Sequence, residues 1–367
     1  MTRKLIGHYR FKAPKAQLKQ VLEKPGLGRF IFVIGPTGVG KTTIRHAVLR
    51  EMVGNPAHWG RGRIPVIETF ALLPQNAYFS SRALVESLVN ELFTPDLSWL
   101  YDAEDPDNSA FQQIAAEVAA SRELWEQFPR RQVSERKSWE LFQGLATQRS
   151  VWLASIDQAA ALCTNHRNTD PADHILNLMS IIEKERINIL LSGVHSAADL
   201  WAARPEARRR SDIIWVPPYS HERKEDREPF LQLLRTLGQK YRYSKPKLLF
   251  DMAPDLLAAS AGIFGILKKL LEEASARATA AGREIVHRHD IEDSVYGDKD
   301  LKKLWHDVRL FEEAMKSGST EKHASVIAEK WNLRGHRTKS SIEGAGQTER
   351  KVEGNVDLHA PAVGGKV

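Results

Sequence analysis

One cysteine, Cys163, is the whole thiol content of 367 residues. A single thiol excludes an internal disulfide framework and any zinc site built from several cysteines. Long apolar runs are lacking as well: no stretch approaches the ~18 apolar residues of a membrane-spanning helix, and the amino-terminal residues lack the apolar core of a secretory signal. We therefore expect a soluble protein of a reducing compartment, the cytoplasm, without a membrane partner.

A strong excess of one charge is also missing. The 53 Lys and Arg residues oppose 46 Asp and Glu, which leaves a net charge of +7 and a pI near 9.3. On a chain of this length such an excess does not by itself predict nucleic-acid binding. An apolar content of 42% and nine tryptophans provide core material, so wholesale disorder is excluded. The length favours about two domains.

The sequence does contain an alternation of short apolar segments with helical patterns. The apolar segments are rich in β-branched and aromatic residues, and the stretches between them place apolar residues at helical spacing. This alternation predicts a three-layer α/β domain around a parallel central sheet. The predicted strands are Phe30–Ile34, Ile64–Phe70, Val151–Ile156, Ile187–Ser192 and Ile213–Val216.

The composition changes several times along the chain. Residues 1–28 form a basic lead-in, and residues 29–220 form the α/β domain, with an insertion at about 95–145. Its first part, residues 95–112, is acidic and turn-rich and is predicted to be exposed, and helical segments follow over about 113–147. From residue 225 to about 281 the pattern is purely helical, which predicts a smaller all-helical domain over 221–316 that ends in a C-terminal helix. Residues 317–367 are rich in Gly, Lys, Glu and Ser, and we expect a disordered tail.

The first predicted strand leads into GPTGVGKT, a full match to the phosphate-loop pattern G-x-x-x-x-G-K-[ST], and a helical pattern follows. Glycines let the backbone N–H groups curl around phosphate oxygens, Lys41 reaches the β- and γ-phosphates, and the Thr42 hydroxyl binds Mg²⁺. A chance glycine-rich turn is the alternative. The pattern predicts an ATP site formed by Gly35, Pro36, Thr37, Gly38, Val39, Gly40, Lys41, Thr42 and Thr43.

A carboxylate at the end of a neighbouring strand would hold Mg²⁺ through water, and Asp157 follows the third predicted strand. Capping of the next helix is its alternative role. The next residue, Gln158, stands where many ATPases of this class carry a glutamate that polarises the attacking water. Because glutamine cannot accept a proton, we expect slow or partner-dependent hydrolysis with nucleotide binding intact. Glu68, near the end of the second strand, is another candidate carboxylate for this step.

Polar and basic residues follow the fourth predicted strand. Ser192 is the candidate that contacts the γ-phosphate, with His195 in reserve; a structural polar group at a strand end is the alternative. Planar guanidinium groups suit a phosphate presented across a subunit interface, so Arg209 and Arg210 are candidates for action in trans. A solvated helix face is the alternative for the whole cluster, which comprises Arg204, Arg208, Arg209 and Arg210.

In the predicted helical domain, AGIFGILKKLLEEA (261–274) has glycines spaced for close helix packing and then two lysines, Lys268 and Lys269. A lysine here would contact the nucleotide from the helical domain. Plain helix surface is the alternative for each of them.

Together, GPTGVGKT, ASIDQ, LLSGVHSAADL, the arginines before WVPPY and the block AGIFGILKKLLEEASARATAAGREIVHRHDI resemble the AAA+ ATPases of the TnsC/TniB type. These are transposition regulators, more distantly related to MuB and to replication initiators. The likeness spans roughly residues 5–295 and implies an AAA+ domain with a helical lid. Gln158 departs from the usual pattern, and Gly265 stands where initiators carry a sensor-2 arginine, which TniB-like members often lack too.

The resemblance implies a bacterial, nucleoid-associated protein that binds ATP and Mg²⁺ and assembles as a ring or helical filament around double-stranded DNA. Such proteins bind DNA without sequence preference and link a target-selector protein to the transposase. The segment at about 71–85 would face the DNA, with Arg82 as the candidate contact; an ordinary helix N-cap is the alternative there. The modest net charge of the chain is enough for DNA binding if assembly places the basic groups of several subunits around one duplex.

Two other functions are compatible with the sequence. One is an AAA+ or STAND-like switch that acts through protein partners without contacting DNA. The other is a small-molecule or nucleotide kinase that uses the same phosphate loop with an acceptor pocket. The long helical C-terminal region and the arginine cluster favour an oligomeric switch or motor over a kinase.

Overall fold

The computed structural model describes residues 7–24, 28–71, 78–100, 133–164, 171–202, 204–316, 326–327 and 330. The chain divides into two units, Met1–Met315 and Lys316–Val367. Every helix and strand named below lies in the first unit. Among the described helices, none is long and apolar enough to cross a membrane. Most of the predicted tail, 317–367, and most of the predicted insertion lie outside the described residues, so the predicted disorder of the tail stays a prediction.

Five parallel strands form the central sheet, in the order β2-β3-β4-β1-β5. Buried β-branched and aromatic residues build each strand, as in FIFVI of β1, where all five side chains are buried. Such continuous apolar strands are typical of parallel sheets covered on both faces. The strands are β1 (Phe30–Ile34), β2 (Val66–Phe70), β3 (Leu153–Asp157), β4 (Asn188–Gly193) and β5 (Ser211–Trp215).

The predicted strands are therefore found in the predicted order along the chain, with shifted ends. β2 begins two residues later than expected, and β3 and β4 each continue one residue further, to Asp157 and Gly193. β5 begins and ends earlier than expected, at Ser211 and Trp215. The extensions matter because they place Asp157 within the sheet rather than just beyond it.

Helices cover both faces of the sheet. One buried cluster includes Phe32, Leu88 and Phe142, and a second, on the other face, includes Ile31, Leu49 and Val308. Phe142 lies within the interval predicted as an insertion, so the helix that carries it contributes to the core. These helices are α1 (Tyr9–Glu23), α2 (Lys41–Val53), α3 (Ser81–Phe93), α4 (Glu135–Gln148), α5 (Pro171–Glu185), α6 (Asp199–Ala202) and α7 (Pro205–Arg209).

The helical region after β5 packs around a core of its own. In α8 the buried residues Phe230, Leu233, Leu234 and Leu237 recur at helical spacing and form one apolar face. The helices of this core are α8 (Arg227–Gly238), α9 (Leu248–Asp251), α10 (Ala253–Ser260), α11 (Phe264–Ala280) and α12 (Arg288–Glu292). The last helix, α13 (Asp298–Met315), instead contributes Val308 and Phe311 to the two clusters of the sheet. The domain boundary near residue 220 stays a prediction.

The expectation of a purely helical region over 225–281 was wrong in one detail. Two short strands, β6 (Arg242–Tyr243) and β7 (Ile285–Val286), pair in parallel. Each strand has only two residues, too few for an alternating apolar pattern to be visible in the sequence. The pair joins the loop after α8 to the segment before α12.

Candidate functional site

The phosphate loop connects β1 to α2 at the carboxyl edge of the sheet. Gly38 and Gly40 adopt positive φ angles of 90° and 99°, a conformation that costs glycine little. A Cβ on Gly35 would lie 2.5 Å from the carbonyl oxygen of Val216, so only glycine fits between β1 and the segment after β5. A Cβ on Gly40 would meet nothing within 4 Å, so at this position the backbone angle rather than crowding favours glycine.

Lys41 and Thr42 begin α2 directly after this loop. Lys41 Nζ donates hydrogen bonds to the carbonyl oxygens of Gly35 and Pro36, at 2.8 and 2.9 Å. Burial lowers the pKa of Lys41 to about 8, an effect that the nearby Asp157 carboxylate opposes. The predicted ATP-binding residues from Gly35 to Thr43 thus form one continuous loop and helix start, and their assignment to ATP stays a prediction.

Asp157 ends β3 beside this helix start. Thr42 Oγ1 donates to Asp157 Oδ2 at 3.3 Å, so the two predicted Mg²⁺-site residues lie side by side. Ser192, on the neighbouring strand β4, donates from Oγ to Asp157 Oδ1 at 2.7 Å. The predicted sensor residue is therefore fully buried against the predicted metal-site carboxylate. These oxygen atoms are the donors that Mg²⁺ prefers, so the pair Thr42 and Asp157 fits the ion.

Arg45 is a site residue that the sequence analysis missed. Its guanidinium Nη1 lies 3.1 Å from Asp157 Oδ2 and donates to Ser192 Oγ at 2.7 Å, and its Nε lies 3.1 Å from Glu68 Oε1. The side chain is only 2% exposed. A signal was present: Arg45 lies between Ile44 and Val48 on the buried face of α2, and arginine is almost never fully buried without partners.

Arg45 also determines the electrostatics of Asp157. Burial raises the pKa of Asp157, but the Arg45 charge and hydrogen bonds from Ser192, the Gln158 N–H and Thr42 outweigh it, so the net pKa lies below the usual value. The carboxylate is thus ionised at neutral pH. Its negative charge is compensated by a permanent cation of the protein itself.

Glu68, the alternative carboxylate for water activation, is held on two sides. Besides the contact with Arg45, its Oε2 lies 2.9 Å from His46 Nε2. Arg45 and His46 are neighbours on α2, so one turn of this helix holds the carboxylates of both β2 and β3. Arg45, His46, Glu68, Asp157 and Ser192 form one polar network, called here the Arg45 network.

Gln158 occupies the exposed end of this arrangement. Its backbone N–H donates to Asp157 Oδ1 at 2.8 Å, and its φ of 58° places it in the left-handed region. A non-glycine residue in that region costs free energy and deserves a functional explanation. The proposed role of Gln158 in orienting water stays a prediction.

The helical region contacts the phosphate loop through its own glycines. The Gly265 N–H donates to the carbonyl oxygen of Gly38 at 2.9 Å, and a Cβ at Gly265 would lie 2.6 Å from that oxygen. A Cβ at Gly262 would lie 1.8 Å from the Tyr219 carbonyl oxygen. The glycines predicted to allow close packing therefore bring α11 onto the phosphate loop, and no side chain can extend from position 265 there.

The arginine cluster before β5 lies at the opposite, amino-terminal edge of the sheet. Arg204 pairs with Asp173 at 3.7 Å, Arg208 donates to the Ser211 carbonyl oxygen at 3.3 Å, and Arg210 pairs with Glu183 at 2.6 Å. Arg209 is exposed, and within the part of the chain that the structure describes it has no ion-pair partner. Of the two arginines predicted to act in trans, Arg209 is the one that forms no ion pair with another described residue.

The remaining candidates contact groups of their own chain or lie apart from the network. Lys268 and Lys269 pair with Glu272 and Glu273, at 3.7 and 3.6 Å along α11, as surface lysines do. His195 lies in the 3₁₀ turn after β4 and is partly exposed.

The DNA candidate Arg82 pairs with Glu86 at 2.8 Å. Ser80 caps the same helix by accepting a hydrogen bond from the Ala83 N–H, so the N-cap alternative describes this helix start.

Comparison with known proteins gives a fold but no family. No family model matches the chain, and no curated protein matches it. A Walker-type ATPase of Pyrococcus abyssi is similar over 88% of this chain and 88% of its own, with 15% identity and a TM-score of 0.51. The ORC2 protein of Aeropyrum pernix gives 14% identity, 90% and 87% coverage and a TM-score of 0.46. Cdc6p of Pyrobaculum aerophilum is similar over 89% of this chain and 88% of its own, with 12% identity and a TM-score of 0.47.

At such identities the likeness concerns the fold alone. The predicted fold class is confirmed: a three-layer α/β domain with a phosphate loop and a parallel five-stranded sheet, followed by helices, similar in fold to the Walker-type ATPase.

Proposed function

We propose that this chain is an ATP-dependent AAA+ regulator of DNA transposition that assembles as an oligomer on double-stranded DNA. In this role it would link a target-selector protein to a transposase. The observation that carries the ATP-dependent part is the meeting of Lys41, Thr42, Asp157 and Ser192 at the carboxyl edge of β1, β3 and β4. The order of motifs from the phosphate loop to the helical lid supports the transposition part.

In this proposal the loop from Gly35 to Gly40 holds the phosphates through its N–H groups, and Lys41 turns from its carbonyl partners towards the β- and γ-phosphates. Thr42 and Asp157 are the residues that would hold Mg²⁺. The ion would supply positive charge that compensates the charge developing on the phosphate oxygens. Gln158 orients the attacking water but cannot take its proton, so hydrolysis is slow or depends on a partner.

Oligomerisation completes the site. We assign Arg209 the role of contacting the γ-phosphate held by a neighbouring subunit, because it is exposed and free of ion pairs with the other described residues. Arg210 is the weaker candidate, since its guanidinium already pairs with Glu183. Ser192 would contact the γ-phosphate, and its hydrogen bond to Asp157 would link that contact to the metal site.

Electron microscopy of the full chain with a non-hydrolysable ATP analogue and duplex DNA tests the proposal. We expect rings or helical filaments on the DNA with ATP analogue and none with ADP. A mobility-shift titration across a salt series accompanies it. If the chain assembles but shifts no duplex even at low salt, the DNA-binding function is wrong.

A switch that acts only through protein partners is the second candidate. The ion pair between Arg82 and Glu86 favours it, because the arginine chosen as the DNA contact is already compensated by a carboxylate. In that case the ATP analogue would induce assembly in the absence of DNA, and added duplex would change neither the amount nor the form of the assemblies.

A further inference from the structure

Arginines gather in three turns at the amino-terminal edge of the sheet, opposite the phosphate loop. Arg61 and Arg63 precede β2, Arg149 precedes β3, and Arg186 precedes β4. Parallel strands begin at the same edge, and the registers Val66↔Leu153 and Leu153↔Asn188 make these three strands neighbours. The three turns therefore lie side by side.

Direct contacts join the turns. The Ile64 N–H donates to the carbonyl oxygen of Arg149 at 2.8 Å, and Arg149 Nη1 donates to the carbonyl oxygen of Gly62 at 3.0 Å. Thr147 Oγ1 donates to Glu185 Oε2 at 2.8 Å, which links the second turn to the third. A surface tied together in this way has little conformational freedom to lose when it binds a partner.

This surface is strongly basic. Within residues 60–65, 147–152 and 184–187, the single carboxylate Glu185 faces five cations, which define the amino-edge surface: Arg61, Arg63, Arg149, Lys184 and Arg186. Glu185 accepts a hydrogen bond from Thr147 and pairs with Lys184 at 3.8 Å, so the four arginines have no carboxylate of their own within these three segments. Arg61, Arg63 and Arg186 are exposed and, among the described residues, have no ion-pair partner. Much of the modest net charge of +7 is thus concentrated here.

Arg186 carries a second signal. Its φ of 56° lies in the left-handed region, where glycine is the favoured residue at a helix end. Arginine there costs stability relative to glycine, and a phosphate contact made by its side chain would offset that cost.

We propose that the amino-edge surface binds the sugar-phosphate backbone of duplex DNA, an inference that rests on the proposed DNA-binding function and gives it a location. Four of the five cations are arginines, whose planar fork matches phosphate oxygens better than the ammonium of lysine does. From β2 to β4 the surface spans about 10 Å at the usual strand spacing. A strand of duplex presents a phosphate about every 3.4 Å along its axis, so the surface faces about three phosphates.

The location separates this role from the nucleotide site. Strands of five residues place the two edges of the sheet about 16 Å apart. Arg82, at the start of the helix that follows β2, belongs to the carboxyl edge, so the two candidate DNA contacts lie on opposite sides of the molecule. Substitutions in the amino-edge surface are therefore expected to leave nucleotide binding unchanged.

The test is a triple variant of the full chain, Arg61→Ser, Arg63→Ser and Arg186→Gly, in mobility shift with ATP analogue and a random-sequence duplex. We expect affinity at moderate salt to fall at least tenfold, and the slope of log affinity against log salt to fall by about one per arginine. The single variant Arg186→Gly is expected to weaken DNA binding while it raises the melting temperature by about 2 °C, because glycine relieves the strained backbone. If Arg186 had only a structural role, Arg186→Gly would lower the melting temperature and leave DNA binding unchanged.

The matched control removes the same charge elsewhere, with Arg277→Gln, Lys299→Gln and Lys303→Gln on exposed helix positions. If the triple variant and this control both bind DNA like wild type, the amino-edge surface is not the contact, although the DNA-binding function stands. If wild type itself shifts no duplex, that function fails and this inference fails with it. If the triple variant loses binding to polyglutamate but not to DNA, the surface serves an acidic protein and the proposal is wrong.

Discussion

Arg45 Nη1 lies 3.1 Å from Asp157 Oδ2, so the carboxylate predicted to hold Mg²⁺ is paired with a buried guanidinium of the same chain. The same guanidinium contacts Glu68 and Ser192. Arg45 therefore keeps two carboxylates of neighbouring strands close together, which their mutual repulsion would otherwise disfavour. A metal ion that binds beside Asp157 would therefore share this carboxylate with the guanidinium of Arg45.

Replacing Arg45 with Met tests this role. The change leaves Asp157 and Glu68 largely buried without their common cation, and loss of one member of a buried pair costs about 3–5 kcal/mol. Arg45 lowers the pKa of Asp157, so its contribution to stability is present at neutral pH and is lost as pH falls and the carboxylate is protonated. We expect urea unfolding to show that Arg45→Met has a much lower free energy of unfolding than wild type at pH 7, and that this difference becomes smaller towards pH 4.

Arg45→Lys is the matched control, because it keeps the positive charge but lacks the planar guanidinium that can contact two carboxylates at once. We expect its loss in the free energy of unfolding to be intermediate. An equal loss for Arg45→Met at pH 7 and pH 4 would mean that packing rather than charge explains the effect. A tighter apparent Mg²⁺ affinity in Arg45→Met, measured with a fluorescent nucleotide, would show that the guanidinium competes with the metal.

Nucleotide affinity is expected to depend on pH through Lys41. Burial lowers the pKa of Lys41 to about 8, so in the free protein this lysine loses its proton above that pH. Only the charged form attracts phosphate, so affinity is expected to be constant from pH 6 to 7.5 and about tenfold weaker at pH 9. Equilibrium titration with a fluorescent ATP analogue measures this.

Lys41→Met provides the control for that titration, because its weaker affinity is expected not to change between pH 7.5 and 9. The stability of the nucleotide-free protein is expected to change with pH in the opposite direction to nucleotide affinity. A lysine with a lowered folded-state pKa binds fewer protons folded than unfolded, so stability rises from about pH 8 towards 10.5. A pH-independent affinity in the wild-type protein would contradict the assignment of Lys41 to phosphate binding.

Gly265 is expected to be essential for the contact between the lid and the phosphate loop. In Gly265→Ala the new Cβ would lie 2.6 Å from the Gly38 carbonyl oxygen, so α11 must move away from the loop. We expect nucleotide affinity to fall at least tenfold with a smaller loss of stability. Gly144→Ala, where a Cβ meets nothing within 4 Å, is the control and is expected to bind nucleotide normally. Normal binding by Gly265→Ala would show that the lid contact is dispensable.

The sequence predicted the sheet well because its strands are short, apolar and rich in β-branched residues, and because the phosphate loop marks one strand end. It also brought Thr42, Asp157 and Ser192 to one edge, since parallel strands all end on the same side. Arg45 was not foreseen because its partners are distant along the chain, and only the register of β2, β3 and β4 brings them to α2. The β6–β7 pair was missed because two residues carry no pattern.

Gln158→Glu is expected to raise ATP turnover, since glutamate can accept the proton that glutamine cannot. Gln158 is exposed, and its hydrogen bonds with described residues use backbone atoms: its N–H donates to Asp157, and its carbonyl oxygen accepts from the Ala161 N–H. The change of side chain therefore leaves the Arg45 network in place. Steady-state phosphate release, with and without duplex DNA, measures the rate, and nucleotide affinity serves as the control. An unchanged or lower rate would count against the idea that Gln158 limits hydrolysis and would favour Glu68 as the base.

Arg209 is expected to act on the nucleotide of a neighbouring subunit. Arg209→Ala should bind ATP analogue normally but lose most turnover, because an arginine supplied in trans stabilises the transition state and not the bound nucleotide. Lys41→Ala should bind ATP more weakly and lose turnover, because it lacks the ammonium group that contacts the phosphates. Mixing the two inactive proteins places some intact Arg209 side chains beside some intact phosphate loops, so turnover should partly return. Arg210→Ala, which breaks the pair with Glu183, is the matched control and should retain activity. No recovery on mixing, with mixed assemblies verified by labelled subunits, would exclude action in trans.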